Sequence, residues 1–344
     1  MTDSPSPAGA AACPGALPAP AGPWGWRKHQ AVHVAGPPSW RGEPTRGTAE
    51  LLPPPGGVAI PPRPADGHKG TFGRVAVAAG CRTFTGAPYL SATAAIRGGA
   101  GQVRLLAASS IHPILAVKCT EVEVASVPDQ GRGALGADSW DEIRQVHIEG
   151  WATVTIAGPG LGRDPATDRL VHLIQRIGQP LVIDADGLNA LADAPAVLAG
   201  LREAGQPRVL TPHPGEMARL VGRPTVDVQT NREAIALDAA RRWGVVVALK
   251  GAHTVVAAPD GRCSVDPHAV PALASGGTGD VLAGLIGALI AQGSTAFEAA
   301  VTGVYVHAAA GRLIEADLGL SGLAASDLLL VIPRVMQKLR EAGR

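Results

Sequence analysis

Short, continuously apolar runs recur along this chain, each closed by glycine or an acid and followed by a helix-like segment. "GRVAVAAG" (Gly73–Gly80) precedes the small-residue helix pattern "GAPYLSATAAIRGGAG" (Gly86–Gly101), and "QVRLLAA" (Gln102–Ala108) follows. "TVTIAGPGLG" (Thr153–Gly162) leads into a helix expected over Pro165–Ile177. "PLVIDADGLNAL" (Pro180–Leu191) and "RVLTPHPGEMARL" (Arg208–Leu220) repeat the strand–turn–helix plan. Strands apolar on both faces need cover on both sides, so the pattern predicts an α/β fold with a mainly parallel sheet and helices on both faces. "VVVALKGAHTVVAAPDGRCSVD" (Val245–Asp266) breaks the rhythm with adjacent strands joined by tight turns, which predicts an antiparallel edge. Three closing helices are expected, starting near Val281, Ala296 and Ser326.

Composition narrows the function classes. The formal net charge is +1 in 344 residues, which gives no support for a nucleic-acid partner. The longest apolar run, Val281–Ala291, is too short to span a bilayer. The four cysteines, Cys13, Cys81, Cys119 and Cys263, form no C-x-x-C pair, which suits reduced thiols in a cytoplasmic setting. Residues 1–65 are rich in Pro, Ala and Gly without lasting periodicity, so they are expected to be a largely disordered tail and linker.

Ligands of open α/β sheets bind beyond the carboxyl ends of the strands, and the unusual residues of this chain fall there. In "GGTGDVLAG" (Gly276–Gly284), Gly276, Gly277, Thr278 and Gly279 precede an apolar helix with Asp280 at the joint. Unpaired N–H groups and the helix dipole make such a turn an anion hole, and phosphate is its usual guest. Asp280 reads equally as a plain N-cap. Asp184 and Asp186 close a strand and either hold Mg²⁺ through water or cap the next helix. His213 stands between two prolines in "TPHPGE" (Thr211–Glu216), a stiff loop whose imidazole can donate to a ligand, while Glu216 complements a helix dipole. Lys250, Gly251, Ala252, His253 and Thr254 offer an ammonium, a glycine and a hydroxyl suited to phosphate or ribose. Ala87, in "FTGAPY" (Phe84–Tyr89), leaves room for a flat ligand, and Gly162 lies in a glycine turn that is not a dinucleotide fingerprint.

Taken in order, "HKGTFG", "TGA", "GPGLG", "DADGLNAL", "TPHPGE", "LKGAHT" and "GGTGDVLAG" resemble the NAD(P)H-hydrate dehydratase family, over roughly residues 66–338. The resemblance implies a ribokinase-like three-layer sandwich that restores hydrated NADH and NADPH (the S epimer) with ADP or ATP and Mg²⁺. It implies that the hydrate lies against Ala87, Gly162, His213 and Asp280, and the adenine nucleotide along Lys250–Thr254 and Gly279. Asp280 is then the general base for phosphorylation of the ring hydroxyl. A cytoplasmic homo-oligomer, a tetramer, is also implied. Three departures stand out, one of them Cys81, which stands where relatives often have serine. Relatives often carry a Gly-Asn-Gly-like stretch where this chain has Ala269–Pro271, and many carry an N-terminal epimerase domain for which residues 1–65 are too short and too proline-rich. The other readings are a ribokinase-like kinase of a small molecule, such as a vitamin precursor, and a nucleotide-binding protein without catalysis.

Residues 1–45 lack the patterned apolar content that builds a core. Their deletion is expected to leave the melting temperature and turnover nearly unchanged. A large loss of thermal stability in the shortened protein would show that the segment docks.

Overall fold

The computed structural model describes residues 58–342. The tail reading of residues 1–57 lies outside the described residues. In chain order, β1 (Arg74–Ala78), α1 (Gly86–Arg97), β2 (Gln102–Ala108), α2 (His112–Lys118) and β3 (Glu123–Val127) come first, followed by the single turn α3 (Trp140–Glu142). Next come β4 (Val154–Ala157), α4 (Pro165–Ile174), β5 (Leu181–Ile183), α5 (Asp186–Ala192), α6 (Pro195–Ala199) and β6 (Arg208–Leu210). After α7 (Pro214–Val221), α8 (Thr225–Thr230) and α9 (Arg232–Trp243) run β7 (Val246–Leu249), β8 (Val255–Ala257) and β9 (Cys263–Val265). Three long helices close the chain: α10 (Thr278–Ala291), α11 (Ala296–Leu318) and α12 (Ala325–Ala342).

Among the described residues the strands form one nine-stranded sheet in the order β3-β2-β1-β4-β5-β6-β7-β8-β9. Pairing is parallel from β3 to β7 and antiparallel from β7 to β9, as the apolar runs and the tight turns predict. The chain builds β1 to β3 outward in one direction, then returns to set β4 beside β1 and builds outward in the other. Right-handed crossovers therefore place α1 on one face and the helices between β4 and β7 on the opposite face. The order reverses between β1 and β4, which opens a crevice at their carboxyl ends.

Helix α10 is the centre of its layer. Every residue of it except Gly279 and Asp280 is buried, which accounts for a helix apolar on all sides. Helix α1 crosses so closely that a Cβ added at Gly284 would lie 2.1 Å from the carbonyl oxygen of Ser91. Helix α10 starts at Thr278, three residues before the expected Val281, and α4 ends at Ile174 rather than Ile177. Strand β3 and helix α9 were not evident from apolar runs. Strand β3 is half-exposed at the sheet edge, and α9 (REAIALDAARRW) turns a charged face outward.

Residues 58–65, placed in the linker on sequence grounds, lie against the domain. Val58 and Ile60 pack on the core, and the Arg63 guanidinium sits 3.8 Å over the Phe72 ring. No helix among the described residues is long and apolar enough to cross a membrane. Cys81, Cys119 and Cys263 are free thiols, and Cys13 lies outside the described residues.

Gly284→Ala separates helix propensity from packing. Propensity alone favours Ala by about 1 kcal/mol. The contact with the Ser91 carbonyl is backbone and cannot rotate away, so overpacking of about 1–3 kcal/mol decides the sign. Denaturant unfolding is expected to show net destabilisation. Increased stability would mean that α1 and α10 are further apart than described.

Candidate active site

The N-terminus of α10 opens the site. Gly277 is its N-cap with φ 91°, a left-handed conformation that glycine adopts without strain, and no side chain caps the helix. Its first N–H groups are thus available to an anion. Asp280 is the third residue of the helix, not its cap, which removes the plain-cap reading. Two side chains fix this turn. Thr278 Oγ1 donates to the carbonyls of Leu273 and Ser275, both at 3.0 Å. From α11, His307 Nε2 donates to the Thr278 carbonyl at 2.9 Å. Burial lowers the His307 pKa to about 4, so the ring is neutral at physiological pH and brings no charge to the turn.

The charge comes from below. Lys250 Nζ donates to Asp184 Oδ1 at 2.6 Å, and Thr211 Oγ1 donates to the same oxygen at 2.7 Å. Glu216 Oε2 stands 3.9 Å from the ammonium. Burial alone would lower the Lys250 pKa, but Asp184 and Glu216 outweigh it and hold the pKa raised. A Cβ added at Gly279 would lie 3.2 Å from Lys250 Nζ and 3.9 Å from Asp184 Oδ2, so the ammonium sits against the start of α10. Half-buried Asp280 faces the same cluster. Burial, then the negative charge of Asp184, raises its pKa to about 7, against the opposing pull of Lys250. A carboxyl poised there can accept a proton near neutral pH.

The two strand-end acids are not helix caps. Ala185 is the N-cap of α5, at φ 49° and ψ −117°, a conformation costly for any residue with a Cβ. It persists because both neighbours are anchored: Asp184 to Lys250, and Asp186 Oδ2 as acceptor of the Gly162 N–H at 2.9 Å. His213 is the cap that the sequence did not suggest. Its Nδ1 accepts from Gly215 N (3.0 Å) and Glu216 N (3.3 Å), while Glu216 Oε2 accepts from His213 N at 2.7 Å. That capping box sets the tautomer, leaving the proton on Nε2, which stands 3.4 Å from Glu216 Oε1. Glu216 is buried, and burial raises its pKa, so its role exceeds complementing a dipole.

The turn Gly158–Gly162 meets the start of α1, since a Cβ at Gly160 would touch Ala87 Cβ at 2.9 Å. The same turn reaches Asp186 through the Gly162 N–H, and the Asp186 charge acts on Asp280. Beside the start of α10 lies a cavity of about 310 Å³. Lys250, Gly251, Ala252 and Thr254 line one wall, and Thr278, Gly279 and His307 line another. His253 lies behind this wall, its N–H donating to the His268 carbonyl at 3.1 Å. The Ala269–Pro271 departure lines the same cavity with apolar groups. Sequence reasoning passed over His307, Asp266 and His268. The signal for His307 was a single imidazole inside an otherwise apolar helix.

Among the described residues, no group of three or more His, Cys, Asp or Glu is placed to hold a metal ion. Asp184 Oδ2 is nevertheless buried without a hydrogen-bond partner, beside Asp280. Few protein oxygens and an open carboxylate fit Mg²⁺, which keeps its waters and binds largely through substrate phosphates.

A family model described as NAD(P)H-hydrate dehydratase matches residues 75–334, which include every residue placed in this site. The chain belongs to the NAD(P)H-hydrate dehydratase family. It is 45% identical over 283 residues to the bifunctional NAD(P)H-hydrate repair enzyme Nnr of Moorella thermoacetica, covering 82% of this chain and 52% of that protein. The chain thus spans about half the length of several of the curated relatives it matches. With the ADP-dependent (S)-NAD(P)H-hydrate dehydratase of Xanthomonas campestris pv. campestris it shares 35% identity, over 81% of this chain and 93% of that one. The ADP/ATP-dependent NAD(P)H-hydrate dehydratase of Bacillus subtilis, co-crystallised with ATP and Mg²⁺, superposes with a TM-score of 0.69 at 29% identity, covering 81% and 94% of the two chains. The sheet and its helical layers make this family member ribokinase-like in fold.

The position of Asp280 in this dehydratase-family site has a consequence for stability. Its folded pKa, about 7, lies above the ordinary 3.8. The protonated form is the favoured one, so the contribution to stability is full below about pH 4 and is lost as pH rises through about 7. Asp280→Asn removes that loss. Thermal melts are expected to show the variant above the parent at pH 8, with the gap shrinking at pH 5. The same offset at both pH values would contradict the raised pKa.

Proposed function

We propose that this site dehydrates hydrated NADH and NADPH, the S epimers, with ADP or ATP as phosphoryl donor. The observation that carries this reading is Asp280, with a pKa near 7, at the mouth of an anion hole that has Lys250 beneath it. The substrate class comes from the relatives, an ADP-dependent (S)-NAD(P)H-hydrate dehydratase and an ADP/ATP-dependent NAD(P)H-hydrate dehydratase.

The chemistry follows from the geometry. Hydroxide is a poor leaving group and phosphate a good one. Asp280 takes the proton of the ring hydroxyl, and that oxygen attacks the terminal phosphorus of the nucleotide, whose bridging P–O bond breaks. AMP leaves if the donor is ADP, and ADP if the donor is ATP. Charge on the transferring group is held by the N–H groups at the start of α10 and by the Lys250 ammonium. Phosphate then departs with the C–O electron pair, a proton leaves the adjacent carbon, and the dihydropyridine double bond is restored. His213 and the Gly158–Gly162 turn hold the hydrate on one side, and Lys250–Thr254 hold the nucleotide on the other. Mg²⁺ bound with the nucleotide, near Asp184 Oδ2, would neutralise phosphate charge that the surrounding carboxylates otherwise repel.

The test mixes the purified protein with the S hydrate, Mg²⁺ and either ADP or ATP, and follows recovery of dihydropyridine absorbance. The value kcat/KM is expected to rise with pH through an apparent pKa of about 7 as Asp280 ionises. Asp280→Asn is expected to lose roughly two orders of magnitude in turnover. No regeneration with either nucleotide, in folded protein, contradicts the reading.

A further inference from the structure

We propose that Arg82 binds the diphosphate of the dinucleotide hydrate, and so holds the substrate by the half that does not react. The inference rests on the dehydratase reading of the site. Arg82 lies just past β1, and its loop abuts the Gly158–Gly162 turn. The preceding Cys81 Sγ would stand 3.1 Å from a Cβ added at Gly162, and Phe84 Cβ 2.8 Å from one added at Gly160. Arg82 is exposed, and its Nη2 donates to the Gly131 carbonyl at 3.0 Å. Among the described residues, no carboxylate lies within ion-pair distance of this guanidinium. Its neighbours differ, since Arg132 pairs with Asp138 and Arg163 with Asp168 and Asp193.

The fold holds Arg82 in place from underneath. Asp129, just past β3, is 2% exposed and accepts four hydrogen bonds. Ser109 Oγ (2.7 Å) and Ser110 Oγ (2.6 Å) donate to it from the end of β2, and Gly131 N (3.3 Å) and Gly133 N (2.7 Å) from its own loop. That carboxylate fixes a turn with two left-handed glycines, Gly131 at φ 76° and Gly133 at φ 77°. The turn in turn carries Arg82, whose N–H donates to the Gly133 carbonyl at 2.7 Å. A Cβ at Gly133 would strike Arg82 Nε at 2.8 Å, so the glycine is what lets the guanidinium stem lie along the turn. Residues past three neighbouring strand ends thus orient one cation that has no acid of its own.

The chemistry of that cation says what it takes. A guanidinium has a planar fork of N–H donors that matches phosphate oxygens in pairs, and Arg82 has spent one of them on a carbonyl. The phosphates of the donor nucleotide belong at the start of α10, beside Lys250. The Arg82 loop instead touches the turn assigned to the hydrate. With the ring hydroxyl of the hydrate at Asp280, the diphosphate tethered to that ring is the anion left for Arg82. A second cation without a carboxylate partner among the described residues, Lys118, reaches the same loop, its Nζ 3.5 Å from the Thr85 carbonyl. Binding energy from a remote, unreacting part of a substrate is what holds the reacting part in place.

The test gives the whole protein two substrates, the hydrate of NADH and the hydrate of reduced nicotinamide riboside, which has the same ring and hydroxyl but no phosphate. Arg82→Gln keeps a donor for the Gly131 carbonyl and removes the charge. It is expected to raise KM for the NADH hydrate about tenfold or more, the loss of a charge-assisted hydrogen bond, and to leave kcat/KM for the riboside hydrate within about twofold. A merely structural Arg82 would lower turnover of both. An equal loss on both hydrates, or a KM rise below about threefold on the first, overturns the proposal. If Arg82→Gln does not fold, Arg82→Lys, which keeps the charge and loses the fork, is expected to raise KM for the NADH hydrate alone, and an equal effect on both hydrates overturns the proposal. Calorimetric titration with intact NADH needs no turnover, and the parent is expected to bind it about tenfold or more tightly than Arg82→Gln, with the gap shrinking as salt rises. NADH binding that depends on Arg82, in a protein that regenerates no dihydropyridine, would uphold the subsite and remove only the dehydration chemistry. Neither NADH binding nor turnover would remove both.

Discussion

One buried ammonium holds this site together. Lys250, at the end of β7, meets Asp184 from the end of β5, while Thr211 at the end of β6 shares the same carboxylate oxygen. Glu216 from α7 approaches the ammonium, and Gly279 of α10 lies above it. Three neighbouring strand ends and two helix N-termini are thereby indexed to one ion pair. Removing the lysine would leave Asp184 and Glu216 buried without a counter-charge, a kind of loss that typically costs about 3–5 kcal/mol. The strained Ala185 is explained by the same contact. Its neighbours are anchored in different directions, and the backbone between them takes the distortion.

The cluster also sets the electrostatics above it. Burial is the largest cause of the raised Asp280 pKa, Asp184, Asp186 and Glu216 add to it, and Lys250 opposes it. A base with an ordinary carboxyl pKa would be a weak proton acceptor, and one raised much further would stay protonated at neutral pH. His307 supports the same turn without adding charge, because its buried ring stays neutral. The start of α10 is therefore positive through backbone dipoles and one lysine, next to a carboxyl able to exchange a proton.

Much of this was legible in the sequence, for physical reasons. Parallel strands buried on both faces are apolar throughout, so β1, β4, β5, β6 and β7 announce themselves, and the turn Pro259-Asp260-Gly261 marks the antiparallel edge. The half-exposed β3 carries no such run. Asp280, Lys250, His213 and the glycines stood out because their types are unusual at strand ends. Their pairings were not legible, since contacts such as Lys250–Asp184 span 66 positions of the chain. Capping by His213 was hidden because imidazole seldom plays that part. Asp266 and His268 escaped notice because they follow an edge strand with no glycine signature.

The most direct test is a ¹³C-carboxyl NMR titration of Asp280, assigned by comparison with Asp280→Asn, in the parent protein and in Lys250→Met. The parent Asp280 is expected to titrate near pH 7, and removal of the ammonium is expected to move it higher still. An Asp280 that titrates near 3.8 in the parent, or one indifferent to Lys250, would contradict the account of how this site is charged.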